Sequence, residues 1–131
     1  MLFAIPYSIQ QLTPDDLPLL DGLLTVFGEA FEDAQTYSGN RPSAAYLQRL
    51  LDRDYFIALV AVKNGEVAGG LAAYELQKFE QARSEIYIYD LAVDAAHRRE
   101  GIATALIQAL KRMAAERGAY VIFVQADVGD D

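Results

Sequence analysis

The sequence contains no cysteine and a single histidine, His97. Without cysteine there is no disulfide framework, no thiolate nucleophile, no dithiol redox pair and no Cys-ligated zinc. One imidazole does not build a His-rich metal centre, so no metal is expected in the site. Long hydrophobic runs are missing as well. The longest, residues 55–62, has the length of a strand and is bounded by Asp54 and Lys63, whereas a bilayer-spanning helix needs about 20 apolar residues. Lysine and arginine are absent before Arg41, which leaves no basic segment of the kind that opens a secretory signal; cytoplasmic residence is expected. Positive charge is scarce overall, with 11 basic against 19 acidic side chains and a net charge of -8. That sign is a poor match for nucleic acid, whose binding relies on Lys and Arg to displace phosphate counterions, and a good match for cationic partners. Acidity also serves plain solubility.

With 131 residues, 53% of them hydrophobic, residues 1–131 fit a single domain that buries a real core without disulfides. Residues 3–12 alternate roughly between apolar and polar side chains, as a strand does. Thr13-Pro14-Asp15-Asp16 then supplies a capping hydroxyl, a proline for the first helical position and acids for the positive end of a helix dipole. Leu17, Leu20, Leu23, Leu24, Phe27 and Phe31 follow at three- and four-residue spacing, the apolar stripe of a core-facing helix. Gly39-Asn40-Arg41-Pro42 breaks the pattern, and Ser43 caps a short second helix with Leu47, Leu50 and Leu51 on one side. Residues 55–62 read as a strand covered on both faces, Asn64-Gly65 as a hairpin turn and residues 67–76 as the partner strand. After a polar connection, residues 84–93 add a third strand to the meander. Ile102, Leu106, Ala109, Leu110 and Met113 mark the core face of a helix over residues 99–117 that ends at Gly118, and residues 119–126 read as a last buried strand. Strand, helix and strand make a crossover, so the flanking strands run parallel and the fold is mixed α/β.

The chemistry concentrates in residues 94–104, where a strand hands over to a helix. The first turn of a helix leaves up to four unpaired N–H groups beside a positive dipole end, and Gly101 and Ala103 let a ligand approach the backbone closely. Arg98, Arg99, Lys111, Arg112 and Arg117 outnumber Asp94, Glu100 and Glu116 here, a cationic island in an acidic chain. Such a turn suits a phosphate, although two solvated arginines at an ordinary helix start carry the same charge. Neither G-x-G-x-x-G nor G-x-x-x-x-G-K-[ST] occurs, so neither a dinucleotide fold nor a P-loop is supported. What occurs is Arg98-x-x-Gly101-x-Ala103. Ahead of it, strict alternation places Ile86, Ile88, Asp90 and Ala92 on one strand face, so a carboxylate interrupts an apolar row. Asp90 is then either a structural acid bonded to nearby N–H groups or a base and cation-binding group.

Arg98-x-x-Gly101-x-Ala103, joined to the strand over residues 85–93, resembles the acetyl-coenzyme A motif of the GNAT acetyltransferase superfamily. Lys78-Phe79-Glu80-Gln81, residues 83–93, Arg98-Arg99, residues 101–107 and residues 118–131 are further similar to the aminoglycoside 3-N-acetyltransferases that give gentamicin resistance. The resemblance implies the GNAT (acyl-CoA N-acyltransferase) fold, a mixed central sheet with flanking helices. It implies that the pyrophosphate of coenzyme A rests on Arg98, Arg99, Glu100, Gly101, Ile102, Ala103 and Thr104. The pantetheine arm would run along Leu91, Ala92 and Val93, in a gap where two parallel strands splay beside a bulge near Asp90. Asp90 becomes the implied base for direct attack of an amine on acetyl-CoA, without a covalent enzyme intermediate. Glu85, Tyr89, Asp127 and Asp130 become candidates for holding the ammonium groups of an aminoglycoside, while Tyr87 and Tyr120 read as core aromatics and His97 as a solvated loop residue. A homodimer is expected, as is common in the superfamily. Family members usually continue with another helix, bearing a tyrosine assigned to protonate the departing thiolate, and two strands; against that pattern the C-terminal helix and strands are expected to be missing. Three readings stay open: an aminoglycoside acetyltransferase, an acetyltransferase for a polyamine or a protein amino terminus, and an inactive coenzyme A-binding module.

Overall fold

The apolar run after Tyr55 becomes the strand on which both layers of the core are built. In the computed structural model, which describes residues 6–125, β2 (Phe56–Lys63) buries its first six residues. Alternation explains the unbroken apolar run: Ile57, Leu59 and Ala61 join one hydrophobic cluster, Phe56, Ala58 and Val60 the other. Asn64 and Gly65 take φ values of 53° and 77°, the two left-handed positions of a tight hairpin turn, and return the chain as β3 (Glu66–Gln77). β4 (Ser84–Val93) completes the antiparallel meander and β1 (Ser8–Gln11) pairs antiparallel along β2. A crossover through α3 (Ile102–Arg117) brings β5 (Ile122–Val124) parallel to β4, giving the order β1-β2-β3-β4-β5.

Helices cover the two faces unequally. Leu20, Leu23, Val26 and Phe27 of α1 (Leu17–Ala30) and Leu47 and Leu51 of α2 (Ala44–Leu51) pack on Phe56, Ala58 and Val60. On the opposite face Ile102, Leu106, Leu110 and Ala114 of α3 pack on Ile57, Leu59, Leu71 and Ile86. Ser43 caps α2 as expected, its hydroxyl accepting the Tyr46 N–H at 3.2 Å.

Several boundaries differ from the sequence reading. The first helix starts at Leu17 with Pro18, not Pro14, in its first turn. The Asp16 carboxylate accepts the Thr13 N–H at 2.8 Å and the Thr13 hydroxyl at 3.0 Å, so Thr13 closes a turn ahead of the helix. A π-helical turn, Gln35–Gly39, fills what reads in sequence only as a break. α3 begins at Ile102 rather than residue 99 because Arg99 and Gly101 are left-handed, with φ of 67° and 79°. β5 is short, which leaves Tyr120 on the surface at 64% exposure with the Arg83 guanidinium 3.9 Å above its ring; it is not a core aromatic. Tyr87 is half-buried and stacks on Phe123 at 5.0 Å. Among the described residues, no helix is long and apolar enough to cross a membrane, and no group of three His, Cys, Asp or Glu side chains is placed to hold a metal ion.

Candidate active site

The site begins at an irregularity in β4. Gly69 to Ala72 of β3 pair with Val93 to Asp90, but the next residue, Ala73, pairs with Ile88, leaving Tyr89 surplus. A surplus residue breaks the period-two alternation of a strand. Ile86 and Ile88 before the bulge, and Leu91 and Val93 after it, all pack on the α3 side, whereas Ala92 joins the α1 and α2 side. Asp90 shares the face of Ala92 and is turned toward α1, which corrects the expectation that Ile86, Ile88, Asp90 and Ala92 lie on one face. The apolar spacing 86, 88, 91, 93 carried this signal in the sequence.

Asp90 is half-buried, and its Oδ2 accepts the Tyr37 hydroxyl at 3.0 Å. Burial pushes its carboxyl above the usual range while the Tyr37 bond pulls the other way, leaving a net rise. The Tyr37 hydroxyl is itself raised well above its ordinary value, first by burial and then by the bond to Asp90. Nothing in the local sequence around Tyr37, in the π-helical turn, marks it as a partner of a strand 53 residues away.

The bulge also sets the edge of a groove of about 560 Å³. β4 and β5 pair only from Ile86↔Ile122 to Ile88↔Val124, so past the bulge Leu91, Ala92 and Val93 pair with β3 alone among the described residues. These three form one wall; Ala30 and Phe31, at the end of α1, form another. Arg98, Arg99, Gly101, Ile102, Ala103 and Thr104 line the end of the groove. The first bond of α3 runs from the Ala105 N–H to the Gly101 carbonyl at 3.0 Å, so the N–H groups of Ile102, Ala103 and Thr104 have no helical acceptor. The sequence reading brings these residues together, with one exception. Glu100 points elsewhere: its carboxylate receives Lys63 at 2.9 and 3.0 Å, and the Lys63 ammonium holds it below the usual carboxylate range. It ties the turn to β2 from outside the groove. Phe31 and His97 line the groove without having been expected there. His97 sits on a short 3₁₀ turn, Ala95–His97, with its Nδ1 sheltered from solvent and without a hydrogen-bond partner, rather than in a solvated loop.

On the α1 side, Tyr89 is 59% exposed and meets Tyr74 and Tyr87 edge-on at 5.9 and 6.0 Å. Phe56 packs against Tyr74 and Phe123 against Tyr87, so an aromatic row runs beside Asp90. Glu85 lies at the opposite end of β4, roughly 20 Å from Leu91 by strand rise. Its carboxylate is held by Arg83 at 2.9 Å and Lys78 at 3.9 Å, and the structure does not bring it to the groove. Asp127 and Asp130 lie outside the described residues. The arrangement thus offers donors and positive charge suited to a diphosphate at one end, and a half-buried carboxylate beside aromatic rings at the other.

Residues 20–131 match the family model described as Acetyltransferase (GNAT) family. Among solved structures, an aminoglycoside acetyltransferase from an uncultured soil metagenomic sample is 65% identical with a TM-score of 0.91, the match covering 94% of this chain and 81% of the other. A second aminoglycoside acetyltransferase from an uncultured soil metagenomic sample, in complex with sisomicin, is 36% identical with a TM-score of 0.85, covering 95% and 80%. The ribosomal-protein-alanine N-acetyltransferase of Brucella melitensis biovar Abortus 2308 is 26% identical with a TM-score of 0.72, covering 94% and 82%. No curated protein matches.

Proposed function

Since the chain belongs to the GNAT acetyltransferase family, has its fold and is an acetyl-CoA-dependent N-acetyltransferase, we propose that its acceptor is a gentamicin-like aminoglycoside, acetylated at the 3-amine, with Asp90 as the base. One observation carries the reading: the bulge at Tyr89 turns a half-buried carboxylate toward the α1 face at the point where the wall of the groove begins. The 65% identical aminoglycoside acetyltransferase and the sisomicin-bound relative support the acceptor class.

In this reading the N–H groups of Ile102, Ala103 and Thr104, with Arg98 and Arg99, hold the diphosphate of coenzyme A. The free edge of Leu91, Ala92 and Val93 pairs with the pantetheine amides as a further strand does. Acetyl-CoA supplies the activated thioester carbonyl. Asp90 attracts the ammonium form of the acceptor and takes a proton from it; the freed amine attacks the carbonyl carbon, the C–N bond forms and the C–S bond breaks. The backbone N–H of Leu91 faces the developing oxyanion. Tyr89 and its ring neighbours provide cation–π faces for the remaining ammonium groups, with Asp127 and Asp130 as further acidic contacts. Cytoplasmic residence, a single domain over residues 1–131 and homodimer formation belong to the same proposal.

The test is thiol release from acetyl-CoA with gentamicin, sisomicin, spermidine and an alanine-terminated peptide as acceptors, with the acetylated amine located by NMR. Release with the aminoglycosides and a 3-N-acetyl product is expected. Turnover confined to spermidine or the peptide reassigns the acceptor, and coenzyme A binding without release for any acceptor marks an inactive binding module.

A further inference from the structure

The segment that delivers Tyr37 to Asp90 is held at three independent points. Gly28 lies inside α1, where glycine is unfavourable relative to alanine. A Cβ there would sit 3.3 Å from the Tyr37 Cβ and 3.4 Å from the Ala34 Cα, so its absence lets the π-helical turn close onto the helix. Arg41 then straps the turn down. Its Nε donates to the Tyr37 carbonyl at 3.1 Å, its Nη2 to the Thr25 hydroxyl at 2.9 Å and the Asp21 carbonyl at 3.2 Å, and its Nη1 pairs with the Asp21 carboxylate at 3.2 Å. Finally, the Tyr37 ring packs against Phe27 at 5.8 Å and Phe31 at 5.7 Å. All three restraints converge on one hydroxyl, whose acceptor is the Asp90 carboxylate.

We propose that Tyr37 is a positioning residue for acetyl transfer: its hydroxyl fixes the Asp90 carboxylate toward the incoming amine, and Arg41, acting through the π-helical turn, holds Tyr37 in place. The inference rests on the reading of Asp90 as the base. A π-helical turn is a rare local structure that recurs at functional sites, and here it serves to aim a single side chain. The hydroxyl also opposes the effect of burial. Buried alone, Asp90 favours its neutral form; a donor 3.0 Å from Oδ2 favours the anion, the form that accepts a proton. The titratable groups facing Asp90 are Tyr37 from the π-helical turn and Tyr74 from β3, with Tyr89 of β4 and Asp33 beside Tyr37, and Tyr46 of α2, Tyr89 and Tyr55 beside Tyr74. From α1 and the residue that caps it, the neighbours of Tyr37 include the apolar rings Phe27 and Phe31. No lysine or arginine pairs with Asp90 among the described residues, so Tyr37 is its only hydrogen-bond donor from a side chain there.

The test uses the full chain and its Tyr37→Phe, Arg41→Met and Asp90→Asn variants. Asp90 is titrated by ¹³C carboxyl NMR, assigned from the signal missing in Asp90→Asn, and kcat/KM with sisomicin is followed from about pH 5 to 9. Tyr37→Phe is expected to raise the Asp90 pKa and to move the acid limb of kcat/KM upward by the same amount, leaving KM for acetyl-CoA unchanged. Arg41→Met should produce the same shift in smaller measure. An unmoved Asp90 titration in folded Tyr37→Phe overturns the inference whatever the activity. Should Tyr37→Phe fail to fold, Gly28→Ala, which displaces Tyr37 by tenths of an ångström, carries the same expectation and the same refutation. Full turnover by Asp90→Asn is a different result: it removes Asp90 as the base, and with it the kinetic meaning of the latch.

Discussion

Gly101 and Gly118 stand at the two ends of α3, both left-handed, with φ and ψ of 79° and 13° at the first and 71° and 24° at the second. Replacing either with alanine imposes a backbone penalty of roughly 1–2 kcal/mol, the cost of the left-handed region for a residue with a Cβ. Packing contributes little at either place: the nearest atom to a Cβ at Gly101 is the Tyr7 hydroxyl oxygen at 3.7 Å, and nothing lies within 4 Å at Gly118. The two substitutions therefore carry the same strain and differ only in location. Gly118 is remote from the groove, so its penalty appears wholly as lost stability, about 4–8 °C in Tm. Gly101 belongs to the proposed diphosphate turn, so its penalty divides. Whatever the turn relieves by relaxing in the free protein must be restored on binding, at about fivefold in Kd per kcal/mol. Thermal unfolding with and without acetyl-CoA, together with calorimetric titration, separates the two shares. At saturating acetyl-CoA both variants should melt equally far below the parent chain, whereas without it Gly101→Ala should melt closer to the parent and bind more weakly. Equal loss of affinity in Gly118→Ala, or no change in either quantity for Gly101→Ala, refutes the assignment of the turn.

Asp90→Asn should abolish acetyl transfer yet leave the fold at least as stable. Burial raises the Asp90 pKa above its unfolded value, so its charge opposes folding as pH rises through the folded pKa, and a clearly lower Tm at pH 8 contradicts this. Arg117 donates to the Asp54 carbonyl and pairs with Glu75 at 2.7 Å, with side chains 25% and 15% exposed, so Arg117→Met should cost about 1–3 kcal/mol, nearer the lower figure because solvent screens the pair. Burial raises the Glu75 pKa, but the bonds from Ser84 and Arg117 outweigh it. The net value lies below the usual carboxylate range, so the pair stabilises fully above the unfolded pKa and the difference between the two chains in urea should close as pH falls through the folded pKa. Leu110 is 0% exposed beneath the sheet, and Leu110→Ala should cost about 2–5 kcal/mol in denaturant unfolding; a loss well below 1 kcal/mol would mean that α3 is not seated as described.

The meander, the hairpin at Asn64-Gly65 and the crossover before β5 are legible in the sequence because each is written locally, in hydrophobic period or turn chemistry. The turn proposed to hold the diphosphate is legible for the same reason, since Gly101 and the helix start are neighbours along the chain. What escapes is set by distant partners or by a break in period. Glu100 reads as part of the turn, but Lys63, 37 residues away, claims its carboxylate. Tyr37 gains its place only when Gly28, Arg41 and Asp90 converge on it. Asp90 stands out by its incongruity in an apolar strand, but strict alternation assigns it the wrong face because it does not foresee a surplus residue. Tyr120 reads as a core aromatic from its place in an apolar run, but its ring lies on the surface under the Arg83 guanidinium, a partner 37 residues away in the chain.

That surplus residue has a consequence for insertions and deletions. Excising Tyr89 keeps the parity of β4: Ile88 and Asp90, then adjacent in the chain, would still point to opposite sides, and every side chain proposed for proton transfer or coenzyme A binding would survive unaltered. What vanishes is the kink. Without it β4 loses the irregularity at which the wall of the groove begins, so a one-codon deletion would extinguish catalysis in a protein whose proposed catalytic and coenzyme-binding inventory still looked complete.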